Sequence, residues 1–164
     1  MLGRGNDQHA GHSRAGYDFI HSAVDDRTRL AFSQILNDES GPTSAGFLLD
    51  AARAFAELGI HIDRVMTDEH GSYTRSRAFK SACQELCIEH ITTGPYRPRI
   101  NGKVERFHRT LVEEWAYRKL YTTNGQRRAA YYRWLRHYNH TRPHTALGGL
   151  SPLAFLNNAD GNYS

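Results

Sequence analysis

The stretch from Gly94 to Trp115, GPYRPRINGKVERFHRTLVEEW, constrains this chain more than any other. A loop dense in Arg, Pro and Gly leads into a segment where Val104, Phe107, Leu111 and Trp115 recur at spacings of three and four, the period of a helix with one buried stripe. Asn101 can cap that helix, because its side-chain oxygen can accept a free amide of the first turn. Glu105 then falls one residue off the stripe, at the margin of the buried face, where the dipole of the helix N-terminus favours an ionised carboxylate. Around it in sequence stand Arg97, Arg99, Lys103, Arg106 and Arg109. One reading of Glu105 is an ion pair with Arg109 one turn on, the ordinary outcome of that spacing. The other is a functional acid held among cations.

The chain upstream alternates strand and helix. Tyr17 to Val24 and Arg29 to Leu36 are rich in apolar, aromatic and β-branched residues, and Asp25, Asp26, Arg27 and Thr28 between them make a turn, so this segment reads as a hairpin. Asn37 to Pro42 breaks the pattern. Thr43 is placed to cap a helix that carries Phe47, Leu48, Ala51, Phe55 and Leu58 on one side and stops at Gly59. Ile60 to Thr67 reads as a strand with Asp68 at its carboxyl end, the position at which open α/β sheets hold ligands. Gly71 permits a tight turn, Ser76 to Leu86 is a second amphipathic helix, and Ile88 to Thr92 is a strand that feeds the loop at Gly94. This alternation is that of an α/β fold. The helix from Asn101 is expected to run to about Leu120. Thr123 and Gln126 form a capping box for a further helix bearing Tyr131, Leu135 and Tyr138, and Ser151 with Pro152 opens a last one. The expected organisation is a polar tail over 1–16, a core over 17–122 and a helical extension over 123–164.

At 164 residues the chain suits one domain with a real core. Its formal charge of +4 conceals a split: residues 1–93 hold nine Lys and Arg against thirteen Asp and Glu, whereas 94–164 hold twelve against four. A basic second half points to a polyanion partner reached through that half, although charge runs also serve as solvated faces. No apolar run is long enough to span a bilayer and no signal-peptide pattern follows Met1, so a soluble cytoplasmic protein is expected. Cys83 and Cys87 lie one helical turn apart with His90 following, but a fourth ligand is missing nearby; reduced thiols packed against Phe79 and Leu86 fit better than zinc. His137, His140 and His144 lie close together around Arg142 and Pro143.

Three segments resemble one known family. YRPRINGKVERFHRTL is similar to the signature around the last acid of the transposase and retroviral-integrase superfamily, which cuts and joins DNA with an Asp, Asp, Glu triad. VMTDEHG, from Val65 to Gly71, resembles the strand end that carries the second Asp, here Asp68, with Glu69 and His70 departing from the commoner Asn-Gly. YNHTRPHTAL, from Tyr138 to Leu147, resembles the segment that follows the catalytic core of insertion-sequence transposases. Thirty-six residues separate Asp68 from Glu105, within the family's range.

The resemblance implies a ribonuclease H-like mixed sheet flanked by helices, with Asp68 and Glu105 as catalytic ligands of two Mg²⁺ or Mn²⁺ ions. It also implies Arg97, Arg99, Asn101, Lys103, Arg106, Arg109 and Arg142 near DNA, transposon ends and target DNA as partners, and a homo-oligomer when active. In that family the first strand is central and bears the first Asp, which bridges both metals. Here the hairpin begins at Tyr17 with no apolar strand before it, and Asp7, Asp18, Asp25 and Asp26 lie in tail, strand or turn contexts that suit that role poorly. The expectation is therefore an N-terminally truncated frame, with two unpaired inner strand edges and no cleavage activity of its own. The alternative is a non-catalytic remnant that binds DNA.

Overall fold

Asp25 organises the first turn of the computed structural model, which describes residues 19–93, 102–116 and 120–161. Its Oδ2 accepts from both the amide and the hydroxyl of Thr28, each at 2.7 Å, and its own amide donates to the Leu30 carbonyl at 2.8 Å. Arg29 closes the loop with φ at +64°. The strands on either side, β1 (Phe19–Val24) and β2 (Ala31–Leu36), pair antiparallel with Phe19 opposite Leu36 and Val24 opposite Ala31. The hairpin expected from sequence is present; Tyr17 and Asp18 lie outside the described residues.

Along β2 the side chains alternate as a pleat requires. Ala31, Ser33 and Ile35 are buried, and Ala31 and Ile35 join a core with Phe107, Leu111, Trp115, Tyr131, Trp134 and Tyr138. Phe32 points to the opposite face and packs at 5.6 Å on Phe47 of helix α1 (Gly41–Ala56). The hairpin is thus covered on both faces, by α1 on one side and by the C-terminal helices on the other.

Helix α1 starts earlier than the sequence suggested. Ser40, not Thr43, is the N-cap, its hydroxyl accepting the Thr43 amide at 3.4 Å, and Pro42 occupies the first turn, where a missing N–H breaks no helical hydrogen bond. Ala45, Leu48, Ala51 and Phe55 are buried, whereas Leu58, expected on the same face, is 41% exposed because the helix ends at Ala56 and Gly59 turns the chain at φ +75°. The following strand is shorter than expected. Only Arg64–Thr67 (β3) finds a ladder, parallel to β4 (Glu89–Thr92), with Arg64 opposite Glu89 and Thr67 opposite Thr92.

Between them the chain forms a short helix, α2 (Gly71–Thr74), where a bare turn was expected, and then α3 (Arg77–Glu85). Ser76 caps α3 by accepting the Phe79 amide at 3.2 Å. Phe79, Ala82 and Cys83 pack with Ala45, Leu48 and Ile88, so α3 lies on α1. Cys83 is buried and Cys87 exposed.

Helix α4 (Gly102–Leu111) buries Phe107 and Leu111 as its spacing requires. Its capping residue in the sequence reading, Asn101, lies outside the described residues. The α-helix does not run on to Leu120. It passes into a π turn over Val112–Ala116, and Leu120 is 98% exposed. Helix α5 (Asn124–His140) is capped by Thr123, which accepts the Gln126 amide at 3.2 Å; the Gln126 side chain reaches back to the Thr122 hydroxyl at 2.7 Å, one residue short of a full capping box. A 3₁₀ turn (Thr145–Leu147) and α6 (Pro152–Gly161), opened by Ser151, complete the described chain. No helix among the described residues is long and apolar enough to cross a membrane.

The strands form two sheets of two, β1 with β2 and β3 with β4, and among the described residues no ladder joins them. Each of the four strands therefore keeps one unpaired edge among the described residues.

Candidate active site

Asp68 follows β3 directly and is exposed. Its Oδ1 accepts the His70 amide at 3.0 Å, an Asx-type turn that starts α2. The backbone beneath it is held from the strand side. The Thr67 hydroxyl donates to the Asp68 carbonyl at 2.9 Å and meets His90 Nε2 at 2.8 Å, while the Thr93 amide donates to the Thr67 carbonyl at 2.9 Å. With its one hydroxyl proton given to Asp68, Thr67 can only accept from His90, which assigns the Nε2–H tautomer. Burial, and secondarily the charge of Lys80, lowers the His90 pKa and keeps that ring neutral. Its other support is Phe79, edge-on at 5.1 Å.

Glu105 sits in the first turn of α4, also exposed. Among the described residues no ion pair or hydrogen bond joins it to Arg109, so the ordinary structural role for this acid is not realised. Asp68 thus follows a strand and Glu105 opens a helix. Both present hard carboxylate oxygens suited in kind to Mg²⁺ or Mn²⁺. In number they fall short, since no group of three or more His, Cys, Asp or Glu among the described residues is placed to hold an ion.

The cations divide into two sets. Arg106 and Arg109 are exposed on α4 beside Glu105. Lys103 is turned back to the hairpin, where its Nζ pairs with the Asp26 carboxylate and lies 3.3 Å from the Asp26 carbonyl. Arg142 is 27% exposed and bound to Glu114 through Nε and Nη2, both 2.9 Å from Oε1. Arg97, Arg99 and Asn101 lie outside the described residues.

Residues 86–152 match the family described as integrase core domain. The insertion element IS476 protein of Xanthomonas euvesicatoria is 31% identical over 137 residues, 84% of this chain and 38% of that protein. The catalytic core domain of BIV integrase superposes with a TM-score of 0.68 at 25% identity, covering 88% of this chain and 90% of that one. The chain thus carries an integrase-core segment on the fold of a retroviral integrase catalytic core. A putative integrase of Spiroplasma virus SpV1-C74 is 26% identical over 153 residues, 42% of its length, so this integrase-core chain spans about two fifths of the two curated relatives. The matched region takes in Glu105 and Arg142, whereas Asp68 lies before it.

Sequence reasoning passed over several residues that shape the site. Thr67 and His90 support Asp68 from behind; the only signal was their flanking position on two short strands. Glu114, itself held by the Trp134 indole, anchors Arg142, and nothing in their spacing announced it, since the contact spans 28 residues. Asn139 lay within a quoted motif, yet its task is backbone pairing: its Nδ2 donates to the Ala31 carbonyl at 2.7 Å and its Oδ1 accepts the Ala31 amide at 2.9 Å.

Proposed function

We propose that this chain is the catalytic core of a DNA transposase, built for metal-dependent phosphodiester cleavage and strand transfer around Asp68 and Glu105. The observation that carries the reading is Glu105: an exposed acid at a helix N-terminus, without an ion pair among the described residues, beside exposed Arg106 and Arg109 on the segment that matches the integrase core. Asp68, at the carboxyl end of a parallel strand, supplies the second acid. Asp68 and Glu105 would hold divalent ions, whose chemistry is to activate the attacking oxygen and stabilise the leaving one. Arg106 and Arg109, with Arg97, Arg99, Asn101 and Lys103 nearby in sequence, would contact phosphates of transposon-end and target DNA. A homo-oligomer fits this reading, since an intasome is among the structures of similar fold.

In the form given, the chain is proposed to bind DNA without cutting it. Two carboxylates offset the mutual repulsion of a pair of dications less well than three would, and among the described residues no third acid joins them. The test is Mn²⁺- or Mg²⁺-dependent nicking and strand transfer on labelled transposon-end DNA. It compares the native chain, a chain extended by a preceding strand that bears an Asp, and that extended chain with Glu105→Gln. Activity is expected only in the second. Native-chain activity abolished by Asp7→Asn or Asp26→Asn would place the first carboxylate within this sequence, and extended-chain activity that survives Glu105→Gln would overturn the site.

A further inference from the structure

We propose that the segment Asn139 to His144 is a clasp that positions the helix bearing Glu105, and that Arg142 acts through Glu114 as a positioning residue and not as a DNA contact. The carboxylate of Glu114 lies in the π turn that continues α4, and both of its oxygens are occupied. Arg142 takes Oε1 with two nitrogens, and the Trp134 indole N–H donates to Oε2 at 3.0 Å. The π turn makes this possible. It takes more residues per revolution than an α turn, so Glu114 and Trp115, neighbours in sequence, lie closer in angle and both reach α5. Trp115 packs edge-on against Tyr131 at 5.1 Å while Glu114 meets Trp134 and Arg142.

The rest of the segment closes around this pair. Tyr138 stands between Phe107 of α4, edge-on at 5.0 Å, and His144, edge-on at 4.7 Å. The Arg142 guanidinium lies 6.0 Å from the Tyr138 ring centroid. Asn139 grips both backbone polar groups of Ala31, fixing the end of α5 to the start of β2. One short stretch thus ties three elements together, and the far end of the tied helix carries Glu105. A guanidinium that turned from Glu114 to a phosphate would give up both of its contacts to Oε1 and leave that carboxylate with the Trp134 N–H alone among the described residues.

The first experiment needs no DNA. Amide hydrogen exchange is followed on the native chain and on Arg142→Ala, Glu114→Gln and the double variant. The clasp predicts exchange faster by on the order of tenfold over 102–116 in each single variant, no change over 41–56 and 77–85, and little further increase in the double variant. Unchanged exchange over 102–116, or equal acceleration in every element, would overturn it.

The second arm rests on the proposed DNA-binding role of α4, and its failure through absence of binding would tell against that role alone. Arg142→Ala is expected to weaken DNA binding while leaving the slope of affinity against salt intact, whereas Arg109→Ala lowers the slope by about 0.9. Arg142→Lys should behave like Arg142→Ala, because a single ammonium cannot reproduce the planar fork. A reduced slope in Arg142→Ala, with Arg142→Lys behaving as wild type, would make Arg142 a phosphate contact after all.

Discussion

Phe107 is 1% exposed, with Trp134 at 5.5 Å and Tyr138 at 5.0 Å on one side and the β2 residues of the same cluster on the other. Truncation there leaves a cavity that rigid aromatic neighbours are poorly able to fill. Phe107→Ala is expected to cost about 3–5 kcal/mol, read as a lower urea midpoint. A second residue-level effect concerns protons. Burial lowers the pKa of His108 and of His144, the latter helped by the charge of Arg142, and both rings have a buried Nε2 without a hydrogen-bond partner among the described residues. Below the ordinary value of 6.5 the unfolded chain takes up protons that the folded chain refuses, so stability should fall as pH drops from about 7 toward 5. The lowered carboxylates, Asp38 at about 2 and Glu114, act only at more acid pH. Urea melts across this range should show the loss, and it should shrink in His108→Gln.

Elements meet here through close backbone approach as much as through side chains. The start of α1 lies against the cap of α3: a Cβ built on Gly41 would fall 2.2 Å from Ser76 Oγ and 2.5 Å from Ser76 Cβ. Because Ser76 Cβ is fixed to the backbone, Gly41→Ala must push the two helices apart. The expected destabilisation is about 1–3 kcal/mol, despite the better helix propensity of Ala. Gly46, on the same helix with nothing within 4 Å of its Cβ position, is the control, and Gly46→Ala should be neutral to stabilising in the same melts.

For the whole molecule, the charge split bears on the proposed DNA partner. Nearly all the excess cation lies beyond residue 93, and its exposed members on α4 flank Glu105. Binding to duplex DNA is expected to be insensitive to sequence and to weaken severalfold or more between about 50 and 200 mM salt. Arg106→Glu with Arg109→Glu should reduce affinity for every duplex alike, since phosphate contacts position without specifying. Fluorescence anisotropy across a salt series measures both; a flat salt response would remove DNA from the reading.

Local chemistry is what made much of this chain legible in advance. Runs of apolar, aromatic and β-branched residues around an acidic turn marked the hairpin, a period of three to four marked α3, α4 and α5, and Ser76, Thr123 and Ser151 marked helix starts, because each signal acts within a few residues along the chain. The acids Asp68 and Glu105 could be singled out for the same reason, through the motifs around them. What tertiary structure alone decided are matters of partners distant in sequence. Leu58 points to solvent because no neighbour covers it, β3 is four residues long because β4 offers only that much ladder, and the helix after Leu111 widens into a π turn under its contacts with α5. Arg142 looked like a free cation in sequence, and folding bound it to Glu114: a side chain's charge is set by its own chemistry, but whether that charge is available depends on which opposite charge the fold brings beside it.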